Sequence, residues 1–319
     1  MPLLYKYLDP DGIAALRTMT LFASDPTAFN DPFEVRPGFD QERHDYFAKT
    51  CEAFHGILGV KHSLLGSRSM VGIPTENAIG FGEQINERFR NELSERYRVL
   101  CLSRDFSSAL MWGHYTRQRG GLAHTGFVLG LDPSTPGFPT GIKPGGFQVE
   151  YPQNRRRVTL PLAYYQDPCV ESYDLLNRRI MNSPNQQVQS GGGLFIPFSE
   201  YRRQVDAASL AILTTKDMDW AYEQETRFVY ELPDHASQLR CEKNRQLVPV
   251  PAGALREVII GFRATPKLAE EVVQLCQEGR LGEPMLFYSG CHPYQYQVQK
   301  HEADPAYLLS HYRHMRSTP

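Results

Sequence analysis

Apolar and polar positions alternate along several short runs of the chain, with turn residues between them. LLYKYL at 3 to 8 alternates and is aromatic, so it predicts a first strand. DPDGIAALRTMT follows, and Asp9 or Asp11 can cap a short helix through Leu16. LFAS at 21 to 24 predicts a second short strand. The Asp-Pro steps of DPTAFNDPFE, 25 to 34, predict a loop. Helices are expected over 40 to 60, 82 to 96, 106 to 118, 168 to 182 and 198 to 213, with a glycine-rich connection at 182 to 193. YRVLCLS (97 to 103), GFVLGLD (126 to 132), FQVEY (147 to 151), the end of WAYEQETRFVY (220 to 230) and LREVIIGF (255 to 262) predict further strands. TPKLAEEVVQLCQEG, 265 to 279, carries a capping threonine, a first-turn proline and a closing glycine. MLFYS, 285 to 289, is expected to close the sheet. The prediction is an α+β fold: a single domain, 1 to 319, with one mixed or antiparallel core sheet and helical insertions at about 40–96 and 168–213.

Composition narrows the function classes. The 319 residues are 41% hydrophobic and carry a net charge of -2, so no global bias favours nucleic acid or an anionic membrane. The run Arg155, Arg156, Arg157 is expected to be solvated. The six cysteines are scattered without a CxxC, which argues against a zinc ribbon or disulfide framework; no metal site is expected from them. The N-terminus turns polar too soon for a signal peptide, and no apolar run approaches the ~20 residues that span a bilayer. A reducing cytoplasm and no membrane partner are the expectation. Oligomeric state is not legible.

The chemistry concentrates in WAYEQETRFVY, where Glu223 and Glu225 precede Arg227 at the mouth of a strand. The bland alternative is an edge strand whose wet face carries Glu223, Glu225 and Arg227. The other is a pair of carboxylates facing a cleft. His114 is either a satisfied structural histidine or a catalytic base. Trp112 and Tyr115 read as core, or as a platform for a ligand. Asn30 and Asp31 read as loop-builders through side-chain-to-backbone hydrogen bonds, with a polar tip that could also face a cofactor, while Phe29 and Phe33 are expected to pin that loop. Asp31, Glu34, Glu223 and Glu225 could alternatively hold a divalent ion as a nuclease would.

YKY at 5 to 7, FNDPFE at 29 to 34, WGHY at 112 to 115 followed by GFVLGLD, and WAYEQETR at 220 to 227 resemble, in order, a bacterial family catalogued as a domain of unknown function (2971). As chemistry, the set is similar to ADP-ribosyltransferases: an aromatic-basic pair on a first strand, a serine on a middle strand, then Glu-x-Glu entering a late strand. The positions that match are Tyr5 and Lys6, Ser103, and Glu223 with Glu225. Lys6 stands where arginine is usual, and Arg104 follows Ser103 where Thr-Ser is usual. The resemblance implies an ADP-ribosyltransferase-like fold and NAD as a substrate. Glu225 would stabilise the oxocarbenium-like ribose, and Glu223 would orient or deprotonate the acceptor. Ser103 would orient the ribose, Lys6 would meet the phosphates, and Tyr5, Tyr115, Tyr222 and Arg227 would complete the cofactor contacts, with Glu225, Ser103 and Lys6 opening into one cleft. Transfer to a protein or nucleic acid, or to water as an NAD glycohydrolase, fits this chemistry, and so does a toxin or antiviral defence role. A non-catalytic nucleotide-binding or interaction module is the remaining alternative.

Overall fold

In a computed structural model of the chain, residues 2–38, 78–118, 120–154, 157–160 and 198–314 are described. The chain groups into two compact units, Met1–Phe29 with Ser94–Gln153 and Lys216–Pro319, and Asn30–Leu93 with Asn154–Thr215. The helices expected at 40 to 60 and 168 to 182 lie outside the described residues.

The first unit is built on a mixed eight-stranded sheet. In chain order its strands are β1 (Leu4–Leu8), β3 (Tyr97–Ser103), β4 (Phe127–Leu131), β5 (Phe147–Gln148), β6 (Glu225–Glu231), β9 (Leu255–Ile260), β10 (Met285–Cys291) and β11 (Val298–Glu302). In space they run β11-β10-β9-β4-β1-β3-β6-β5. Only β9 and β10 pair in parallel; α5 (Pro266–Gln277) connects them, as a parallel crossover requires. A three-stranded sheet joins β2 (Thr20–Ala23), β8 (Arg245–Pro249) and β7 (Arg240–Glu242). The architecture is therefore α+β with a large mixed sheet. The run at 285 to 289 does not close the sheet, because β11 pairs outside it and takes the edge. FQVEY supplies only two strand residues.

Each face of the large sheet carries its own apolar cluster. On one face Leu4, Leu100, Leu102, Phe228, Tyr230, Val258 and Ile260 pack against α5 and α6 (Pro305–His314), with α1 (Ile13–Thr18) contributing Leu16. α5 forms because Thr265 caps it, accepting from Leu268 N at 3.2 Å, and Pro266 fills the first turn where its missing N–H costs nothing. Its stripe Leu268, Ala269, Val272, Val273 and Cys276 is buried, and burial pushes the Cys276 thiol up to about 12. On the opposite face Tyr5, Tyr7, Val128, Ile259 and Phe287 pack against Met111 and Trp112 of α3 (Ala109–Tyr115). Trp112 is fully buried, stands edge-on to Tyr7 with centroids 5.7 Å apart, and donates from Nε1 to Phe106 O at 2.7 Å.

In the second unit the described elements are α2 (Ala78–Arg96) up to residue 93 and α4 (Phe198–Leu213).

Candidate functional site

Two local features bring the carboxylates together. Asp217 caps a 3-10 helix over Met218–Glu223, accepting from Asp219 N at 2.9 Å. Gln224 then takes a left-handed conformation, φ 46°, which reverses the chain into β6. Glu223 therefore belongs to the turn and Glu225 to the strand. They converge because the chain bends between them, not by the two-residue alternation of a strand. β6 is also interior, flanked by β3 and β5, so the edge-strand alternative does not hold.

Both acids are buried, Glu223 to 1% exposure and Glu225 to 8%. The Lys216 ammonium lies between them, donating to Glu223 Oε2 at 2.6 Å and standing 3.8 Å from Glu225 Oε2. Lys216 also sits over the Trp220 ring, 4.6 Å from its centroid. The other Glu223 oxygen, Oε1, accepts from Tyr115 Oη at 2.5 Å. Arg227 Nε and Nη2 donate to Glu225 Oε2 at 3.0 and 2.6 Å, and the guanidinium covers the Phe29 ring at 4.7 Å. Tyr151 Oη accepts from the Glu225 N–H at 3.0 Å.

The two carboxyls are pushed in opposite directions. Burial, and then the charge of Glu225, raise Glu223; Lys216 and Tyr115 only partly offset this. Burial pulls Glu225 upward too, but Arg227 and Lys216 outweigh it and leave Glu225 below its ordinary value. Glu225 is thus held as the ion, and Glu223 is the easier of the two to protonate.

Sheet register shows which expected residues share this face. Glu225 pairs with Ser103, Ser103 with Tyr5, Tyr5 with Gly130, and Gly130 with Glu257. Directly paired residues point to the same face, so these five form one row across five strands. The Tyr5 ring lies over Gly130, where an added Cβ would come within 3.2 Å of it. Its hydroxyl bonds to Glu257 rather than facing the acid pair, and burial, then Glu257, raise it to about 12. Lys300 completes that second cluster, donating to Glu257 Oε2 at 2.5 Å.

Lys6 departs from expectation. As the neighbour of Tyr5 on β1 it points to the opposite face, that of Leu4 and Leu8. Its ammonium bonds to Cys101 O at 3.1 Å. The single cleft expected to contain Lys6, Ser103 and Glu225 is not formed. Ser103 does share the face of Glu225, but its hydroxyl donates to Glu223 O at 2.7 Å, with Asp105 O standing 3.0 Å away. It therefore braces the turn that carries Glu223. His114 is exposed at the end of α3, its ring centroid 6.2 Å from Tyr222 and 6.5 Å from Tyr115. Tyr222 is half-buried beside Trp220, with centroids 6.1 Å apart.

Asn30 and Asp31 belong to the second unit, where Asp31 Oδ1 accepts from Phe33 N at 2.9 Å and builds the loop. Phe33 is 61% exposed, with the Arg157 guanidinium 5.6 Å from its ring centroid, rather than packed into the core. Among the described residues, no three His, Cys, Asp or Glu side chains gather as a metal site needs. No described helix is long and apolar enough to cross a membrane.

Sequence reasoning missed Lys216 and Tyr151. Lys216 precedes Glu223 by seven residues, a spacing that means nothing until the intervening 3-10 turn folds it back. Compared with family models, with curated proteins and with solved structures, the chain matches none.

Proposed function

We propose that this chain cleaves the nicotinamide–ribose bond of NAD, as an ADP-ribosyltransferase or NAD glycohydrolase. One observation carries the proposal: two buried carboxylates meet at one ammonium with their proton affinities driven apart. Such a split gives one group a charge role and the other a proton-transfer role. Glu225, kept ionised by Arg227, would stabilise the positive charge that develops on the ribose. Glu223 would handle the proton of the attacking group. The half-buried Tyr222 and Trp220 rings beside the pair suit a flat ligand. Of the three marks of the transferase pattern, the serine and the acid pair share a face, and the basic residue of the first strand does not. Lys6 is accordingly given no part in holding the pyrophosphate.

The deciding experiment incubates the purified protein with NAD and measures free nicotinamide, with Glu225→Gln and Glu223→Gln in parallel. Glu225→Gln keeps the shape and removes the charge, so turnover should fall by about two to three orders of magnitude while NAD still binds. No nicotinamide from the parent protein would refute the proposal.

A second reading is favoured by a specific feature: the charges of Glu223, Glu225, Lys216 and Arg227 cancel within the cluster. A closed quartet suits a non-catalytic nucleotide-binding module. That reading predicts thermal stabilisation by NAD with no turnover.

A further inference from the structure

Glu223 is poorly placed to meet a ligand itself. It is 1% exposed, and its two oxygens are engaged by Tyr115 and Lys216. Lys216 is buried as well, at 6%. Tyr115 is half-buried at the last position of α3. Of the groups bonded to the Glu223 carboxylate, it is the more exposed one. Its position is held firmly, because three residues earlier Trp112 anchors the helix on Tyr7 and on Phe106 O. A phenolic oxygen that donates its proton still accepts hydrogen bonds.

We infer that Tyr115 is a catalytic residue of this site, taking the proton of the attacking nucleophile while passing its own to Glu223. The inference rests on the NAD cleavage proposed above. The step balances as follows. The C1′–N bond breaks and its electron pair leaves with nicotinamide, turning the pyridinium into a neutral base. A C1′–O bond forms from water or a hydroxyl acceptor. The proton of that oxygen moves to Tyr115 Oη, and the phenolic proton of Tyr115 moves to Glu223 Oε1. Glu223 begins ionised and ends neutral, and solvent recovers the proton by the same route. Burial raises the affinity of Glu223 for that proton, and Lys216 acts as a positioning residue that keeps Oε1 turned to Tyr115.

The test uses Tyr115→Phe in the full-length protein, with NAD and with sodium azide as an alternative nucleophile. Azide attacks without losing a proton, so it needs no relay. Hydrolysis of NAD by the variant should fall at least about 100-fold, and azide should restore nicotinamide release to within about tenfold of the parent, forming ADP-ribosyl azide. Hydrolysis left unchanged, or slowed with no recovery in azide, overturns the relay while the cleavage activity itself stands. A parent protein inert to NAD overturns the proposed function and the relay together. A second measurement is independent of turnover: carboxyl NMR titration of Glu223. Removing the Tyr115 donor should move the Glu223 titration higher than in the parent, and an unmoved titration overturns the hydrogen bond on which the relay depends.

Discussion

Replacing Lys216 by methionine isolates the physics of the acid pair. The variant leaves Glu223 buried with no ammonium 2.6 Å away. The lost attraction is ~6 kcal/mol at that distance and an effective dielectric constant of about 20. Glu223 has a cheaper course, which is to take up a proton. For a carboxyl whose unfolded value is near 4.3, that costs about 1.36 kcal/mol per pH unit, or about 3.7 kcal/mol at pH 7. Neutralisation is the smaller cost, so it wins. The parent Glu223 is already raised by burial, which makes about 3.7 kcal/mol a ceiling for the difference. Loss of the contact with the Trp220 ring adds about 0.5–1 kcal/mol that does not depend on pH.

The sign follows from proton counting. In the variant the folded state binds the Glu223 proton more tightly than the unfolded state does, so stability falls as pH rises. Destabilisation by Lys216→Met should therefore be largest near pH 7 and shrink on acidification, with the ionic part down to about 1 kcal/mol at pH 5. Urea unfolding followed by tryptophan fluorescence reads this directly, since both tryptophans, Trp112 and Trp220, lie in the unit that holds the site. A destabilisation that stays flat between pH 5 and pH 7, or grows on acidification, would refute the reasoning.

Three further outcomes follow from placement. Trp112→Ala should cost ~3–5 kcal/mol in the same unfolding assay, because the ring is fully buried. Phe29→Ala should cost less, about 1–2 kcal/mol, since Phe29 is half-buried and mainly covers Arg227; equal losses would contradict the burial difference. Under the proposed NAD cleavage, Lys6→Met should leave the KM for NAD within about twofold, because Lys6 lies on the other face of the sheet from Glu225; a tenfold rise would restore Lys6 to the site.

Much of the local structure was legible in the chain. Alternation and β-branched or aromatic enrichment marked β1, β3, β4, β6 and β9. Thr265, Pro266 and Gly279 bounded α5, which runs Pro266–Gln277. Those signals act within a few residues, so one segment carries them whole. Short β7 and β8, which are exposed or half-buried over most of their length, gave no comparable pattern, and β11 was missed beyond the run taken to close the sheet. The acids of WAYEQETRFVY could be picked out as a pair from their spacing and their neighbours. What they do there was decided elsewhere. Alternation tells that Lys6 points away from Tyr5, but not which of them meets Ser103; only the pairing of Tyr5 with Ser103 settles that. The burial of Glu225 and the claim of Glu257 on the Tyr5 hydroxyl depend on which strands became neighbours, and the reach of Lys216 back to Glu223 depends on the 3-10 turn between them. A strand specifies its own two faces, and Lys216, Glu225 and Arg227 all lie in one short stretch, but the burial that gives their charges weight and the Tyr115 hydroxyl come from segments far away in the chain. Those meet only once the sheet is assembled.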